Sequence, residues 1–190
     1  MIHHKIDQNT DEWFALRCGK ITASQFKDVF SKPSTAAFKN LIYSKRAELR
    51  TGEVEESYSN EYMKRGHELE PVARKIYEFE TFTIVEDGGF WEFSEYIGAS
   101  PDGLINEDGL IEIKCTKAST MERYIDENRL PPIYKWQVHG QMFCTGRKWV
   151  DFVAFHPKFE LFIIRIKRDE KIIKELEDKL NEVVKLILKS

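Results

Sequence analysis

The sequence lacks most of what would place it in a membrane or outside a cell. No apolar run approaches the roughly 20 residues of a membrane span. The first residues, Met1 to Lys5, carry neither an apolar stretch nor a small-residue cleavage site, so the expected setting is cytoplasmic. Cysteine is scarce. Cys18, Cys115 and Cys144 form no C-x-x-C pair, which argues against a disulfide framework, an iron–sulfur centre or structural zinc. A basic excess is also missing, since 29 Lys and Arg stand against 32 Asp and Glu for a net charge of −3. That excludes a protein that coats nucleic acid indiscriminately, yet leaves room for a nucleic-acid enzyme with a local basic channel. There is no repeat, no low-complexity tract, no Walker-type phosphate loop and no nucleophile elbow. His67, His139 and His156 do not have the spacing of a metal-binding set.

What is present suits one domain over 1–190: 42% hydrophobic residues, 32% charged, and 13 Phe with 7 Tyr and 4 Trp for an aromatic core. The expected parts are a helical region over 10–80, a strand-rich core over 81–167 and a helix over 169–189. Thr22 or Ser24 is placed to cap a short helix through Phe30, and Ser34 another through Arg50. A third helix is expected from Tyr62 to Glu80, kinked or restarted near His67 to Glu70 because Pro71 lies inside it. The polar stretch 50–59 reads as a surface loop. Strands are expected at Phe82–Val85, Gly89–Phe93, Leu110–Cys115, Trp149–Phe155 and Leu161–Lys167, with a helix from Pro132 to Thr145 between them. Ile172, Leu176, Leu180, Val183 and Ile187 mark the apolar face of the last helix. The pattern is α/β, a mixed β-sheet flanked by α-helices.

Chemistry concentrates in Ser100-Pro101-Asp102-Gly103, Glu112-Ile113-Lys114 and Gly66 to Glu70. In a strand over 110–115, Glu112 and Lys114 project from one face while Ile111, Ile113 and Cys115 face the core. Asp102 lies in a turn just upstream, and hairpin pairing would set its carboxylate beside Glu112. Converging carboxylates repel unless a proton or cation intervenes. A hard divalent ion such as Mg²⁺ resolves this and leaves positions for water and phosphate, with Lys114 to offset developing charge. Either piece alone reads equally as an ordinary turn or a solvated charge pair. On the 132–145 helix, Tyr134, Gln137 and Gln141 share a face opposite Trp136 and Phe143, a stripe that alone also reads as solvated.

These residues, taken in order, resemble the λ-exonuclease-like, or YqaJ-type viral recombinase, branch of the PD-(D/E)xK nucleases. The resemblance runs from Asp11 to Thr145. It covers Glu12-Trp13, Arg17-x-Gly19-x-Ile21-Thr22-Ala23-Ser24, Gly66-x-x-x-Glu70, Ser100 to Gly103, Glu112 to Lys114 and Tyr134-x-x-Gln137. It implies a restriction-endonuclease-like core in which Asp102, Glu112, the Ile113 carbonyl and Glu70 hold Mg²⁺, with Mn²⁺ able to substitute. Lys114 would be the catalytic lysine, Gln137 and Tyr134 would line the site, and Arg17 and Ser24 would bind a 5′-terminal phosphate. The implied activity is a 5′→3′ exonuclease on double-stranded DNA ends. It would act in a bacterial host as a phage or prophage product, as a homotrimer beside a single-strand annealing protein. An endonuclease on the same core, or a catalytically idle DNA- or partner-binding module, are the other readings.

Overall fold

The computed structural model describes residues 1–54 and 61–189, so residues 55–59 of the expected 50–59 loop lie outside the described residues. The chain opens with strand β1 (Ile2–His4), helix α1 (Asp11–Arg17), capped by Thr10, and the short strand β2 (Ile21–Thr22). A 3₁₀ turn (Ala23–Gln25) leads into α2 (Phe26–Val29), then α3 (Ala36–Thr51), which Thr35 caps and Gly52 ends in the left-handed region. Helix α4 (Glu61–Thr81) is followed by β3 (Val85–Glu86), β4 (Phe90–Ser94), β5 (Ile97–Ala99), β6 (Gly103–Ile105) and β7 (Gly109–Cys115). Helix α5 (Ala118–Glu127), a 3₁₀ turn (Pro132–Tyr134) and α6 (Lys135–Thr145) precede β8 (Trp149–Phe155), β9 (Phe162–Lys167) and α7 (Glu170–Leu188).

The architecture is mixed α/β, as the strand and helix periods predict, but the strands form two sheets rather than one. Their orders are β1-β4-β5-β2 and β3-β6-β7-β8-β9, and each contains one parallel pair, β2 with β5 and β7 with β8. The chain changes sheet between β5 and β6, across Ser100, Pro101 and Asp102, where Pro101 has no N–H to offer a ladder. Helix α6 packs between the sheets, and its residues Val138–Thr145 are all buried. One core joins α2, α3, α6 and α7 over the smaller sheet, a second fills the space between α5, α6 and β8, and a third lies under α4.

Several local expectations are corrected. Helix α4 runs unbroken through Pro71, because Ala73 and Tyr77 beyond it are buried against Ile111 and Ile113, and that burial outweighs one lost backbone bond. The strand expected at Phe82–Val85 is confined to Val85–Glu86, since Phe82 adopts φ +52 and turns the chain. Helix α5 was not expected, although Met121 and Tyr124 at helical spacing anchor it. The short elements β1, α1, β2 and β5 were likewise not anticipated. On α7, Ile173 rather than Ile172 is buried with Leu176, Leu180, Val183 and Ile187.

Helix α4 is also fastened through polar groups. The Tyr77 hydroxyl donates to Asp151 Oδ2 at 2.6 Å, and Arg165 grips the same carboxylate with two bonds of 2.8 Å while stacking 3.6 Å over Trp149. Asp151 is buried in the middle of β8. Replacing Arg165 by Met leaves that carboxylate with Tyr77 as its remaining side-chain donor, so the unfolding free energy should fall by about 1–3 kcal/mol in a denaturant titration, the cost of an under-satisfied buried polar group.

Candidate active site

The site is built on the β6–β7 hairpin. Gly103 pairs with Ile111 and Leu104 with Leu110, so Asp102, one residue before β6, arrives beside β7. There its Oδ2 accepts the Ile113 N–H at 2.6 Å. Strand β7 alternates as its sequence predicts. Ile111 and Ile113 join the core beneath α4, while Glu112 and Lys114 face α6 and form an ion pair with each other.

Helix α6 settles the reading of the Tyr134–Gln141 stripe. Gln137 Nε2 donates to Glu112 Oε1 at 2.5 Å, and Gln141 Nε2 donates to Glu112 Oε2, also at 2.5 Å. The stripe therefore faces a buried carboxylate, not solvent; Glu112 is only 1% exposed. Tyr134 lies with its ring centroid 5.7 Å from Lys114 Nζ, and burial raises its phenol to about 12. The opposite face carries Trp136 stacked on Phe30 and Phe143 against Phe93, as the helical spacing predicts.

Electrostatics sharpen the picture. Burial raises the Asp102 carboxyl well above the usual carboxylate range, and the charges of Glu112 and Glu70 raise it further, against the opposing pull of Lys114 and the Ile113 N–H. Burial alone would depress the Lys114 ammonium, but Glu112 and Asp102 outweigh it and hold the lysine protonated. Glu70 and Asp102 line a cleft of about 190 Å³ together with Ile6 to Asn9, Arg74 and Asp87 to Gly89. The fit of this cleft to a hard cation rests on these observations. Its donors are carboxylate oxygens, and repulsion from Glu112 and Glu70 adds to the burial that raises Asp102. Glu112 offers about four lone-pair sites and spends three on Gln137, Gln141 and Lys114. Gln141 Oε1 beside it is buried without a hydrogen-bond partner among the described residues. Those residues contain no cluster of three His, Cys, Asp or Glu side chains able to hold a metal by themselves, so a cation here would complete its shell with backbone oxygen and water, the habit of Mg²⁺.

Arg17 was placed far from this hairpin by sequence, yet the fold delivers it there. Its Nη1 donates to Ser100 Oγ at 3.4 Å, two residues before Asp102, and its guanidinium lies 3.9 Å from the Trp13 ring. Trp13 Nε1 also donates to Ser100 Oγ, at 2.9 Å. Burial pushes the Arg17 pKa down to about 10, with Glu48 opposing the shift. Strand β2 runs parallel to β5 with Thr22 opposite Gly98, so Ser24 and Ser100 each follow two residues past the pairing, at the same end. Ser24 is exposed with its Oγ 3.4 Å from Thr22 Oγ1, and no hydrogen bond joins it to Arg17. Ser100 had been read only as part of a turn. Its part in holding Arg17 depends on a pairing between segments far apart in the chain, which no local pattern announces.

Comparison with known proteins follows the same lines. No curated protein matches the sequence. The chain is similar to an alkaline exonuclease from Laribacter hongkongensis, LHK-Exo, at 38% identity and a TM-score of 0.87, covering 94% of this chain and 92% of that one. The same values hold for the crystal structure of LHK-Exo in complex with dAMP. A phage-related exonuclease from Haemophilus somnus 129PT shares the fold at 16% identity and a TM-score of 0.65, covering 88% of this chain and 93% of that one. The profile of the YqaJ-like viral recombinase domain matches residues 12–148. With that span and the similarity to LHK-Exo, the chain belongs to the YqaJ-like viral recombinase family.

Proposed function

We propose that this chain is an Mg²⁺-dependent deoxyribonuclease that digests double-stranded DNA from its ends, 5′→3′, to expose 3′ overhangs for phage-type recombination. The observation that carries this reading is the gathering of three groups on the β6–β7 hairpin: Asp102 accepts the Ile113 N–H and lines a cleft with Glu70, while Glu112 pairs with Lys114. Asp102, Glu112, the Ile113 carbonyl and Glu70 would hold Mg²⁺, or Mn²⁺ in its place, and the ion would polarise the phosphate and acidify a water. Lys114, whose ammonium form Glu112 and Asp102 favour, would orient the attacking water and offset charge growing on the phosphate. Gln137 and Gln141 hold the two oxygens of the Glu112 carboxylate, and the Tyr134 ring lies beside Lys114. Arg17 offers a planar fork to a 5′-terminal phosphate, with the Ser24 hydroxyl as a second donor.

An acidic chain has little hold on DNA at physiological salt, so sustained digestion favours topological enclosure by a homotrimeric ring. A single-strand annealing protein would take up the exposed 3′ strand. The setting of such a reaction is the cytoplasm of a bacterial host, with a phage or prophage as the source.

The digestion assay uses linear, nicked and closed-circular duplex with Mg²⁺, with and without EDTA. Linear DNA should be consumed, closed circles spared, and EDTA should stop the reaction. Glu112→Gln should lose hydrolysis together with the rise in melting temperature that Mg²⁺ gives the wild type. Cleaved closed circles would identify an endonuclease, and wild-type turnover in Glu112→Gln would overturn the assignment of the site.

Wild type should digest 5′-phosphorylated ends faster than 5′-hydroxyl ends. Arg17→Ala should slow on phosphorylated ends by about ten- to a hundredfold, the worth of a charge-assisted contact, with the preference largely gone. Arg17→Lys should recover only part, because an ammonium lacks the fork. Equal slowing on both ends, with the preference kept, would make Arg17 structural.

Light scattering at assay concentration should return three times the 22.4 kDa chain mass. A monomer that still digests processively would contradict the ring.

A further inference from the structure

Two charges outside the carboxylate cleft are almost completely buried, Lys45 at 5% exposure and Glu48 at 3%, one turn apart near the end of α3. Lys45 Nζ donates to both carboxylate oxygens of Glu48 at 2.8 Å. A buried ion pair is a poor source of stability, because apolar residues of similar volume usually serve as well. This pair, however, has a third member. Glu48 Oε2 also accepts the main-chain N–H of Gly19 at 2.8 Å, across a long stretch of sequence.

Gly19 belongs to the turn that ends α1 and presents Arg17. The Lys20 N–H closes that turn onto the Arg17 carbonyl at 3.0 Å. The turn is clasped by the end of α3 at more than one point. Cys18 Sγ lies 3.5 Å from the Glu48 carbonyl, and Gly19, at φ +72, is covered so closely by Leu49 that a Cβ would lie 2.5 Å from its Cδ2. A side chain at position 19 is disfavoured by the backbone conformation and would also have to displace Leu49. On the other side of the turn, Arg17 reaches over Trp13 to Ser100. The Glu48 charge also favours the charged form of Arg17 against its burial.

We propose that Glu48, charge-balanced by Lys45, is a positioning residue for end recognition: by holding the Gly19 amide it fixes the Arg17–Lys20 turn at which a 5′-terminal phosphate is received. The inference rests on the end-recognition reading above. Glu48 touches no DNA and no reacting atom in this scheme. Its effect is to keep the guanidinium of Arg17 over Trp13 and beside Ser100, and to do so through a directional acceptor that an apolar replacement would not supply.

Two double variants separate the acceptor from the charge. Glu48→Gln with Lys45→Met keeps an oxygen for the Gly19 N–H in a neutral pocket. Glu48→Leu with Lys45→Met keeps the volume and removes the acceptor. Thermal melts establish that each is folded, amide hydrogen exchange reports on Gly19, and digestion of matched linear duplexes gives the ratio of rates on 5′-phosphorylated and 5′-hydroxyl ends. In the Leu variant, exchange at Gly19 should quicken, and the rate ratio should fall by about tenfold through loss on phosphorylated ends. The Gln variant should stay within about twofold of wild type in both measurements. The proposal is overturned if the Leu variant keeps the wild-type ratio, or slows equally on both kinds of end. If Arg17→Ala abolishes the preference while the Leu variant keeps it, end recognition stands and the positioning role alone fails. If wild type shows no preference between ends, the recognition reading fails and this role falls with it.

Discussion

The passage from Ala99 to Gly103 constrains everything around it, because three residues carry the chain out of one sheet and into the other. Ser100 faces Trp13 and Arg17, Asp102 faces β7, and the Pro101 carbonyl between them accepts from Gln8 at 3.0 Å. There is no slack at this crossing. A Cβ on Gly88 would sit 1.8 Å from the Pro101 oxygen, so the backbone of the β3–β4 connection must be bare where it passes. The groups proposed for end recognition and for hydrolysis are therefore spaced by one rigid tripeptide, in place of a flexible loop.

Charge balance around that crossing follows from the same economy of space. Two carboxylates, Glu112 and Asp102, act on one lysine while Glu70 acts on Asp102, and burial raises the cost of every unpaired charge. The protein answers with neutral donors. Two glutamine amides from α6 and one backbone N–H of β7 satisfy the carboxylates without adding cations. The surplus of negative charge this leaves suits a group that arrives with its own positive charge, and it favours the protonated form of Lys114 against burial.

Much of this was legible in the sequence, and the failures have a common physical origin. Alternation in β7, the turn before it and the apolar stripe of α7 are local patterns, and each of them appears in the structure. So does the helical spacing that sets Gln137 and Gln141 on one face, although which way that face turned was not legible, because α6 is buried on nearly all sides and has little polar contrast to show. What escaped was long-range or one-sided. The second sheet gains its edge strand because β2 finds β5, a pairing of two short segments with no turn between them to predict it. Ser100 and the Lys45–Glu48 pair look like ordinary polar residues until their distant partners are in place. Pro71 misled in the opposite direction, since a local rule about proline yields where Ala73 and Tyr77 have a core to fill.

The parallel pairing of β2 with β5 closes a long segment of chain, and such closures carry an entropic cost that only the finished packing repays. A chain still emerging or partly folded owns all the residues of the site but not their arrangement, since Asp102 meets Ile113 only after β6 lies on β7, and Arg17 meets Ser100 only after β2 lies on β5. The site is thus assembled only with the finished tertiary fold, and an unpaired chain holds its residues apart.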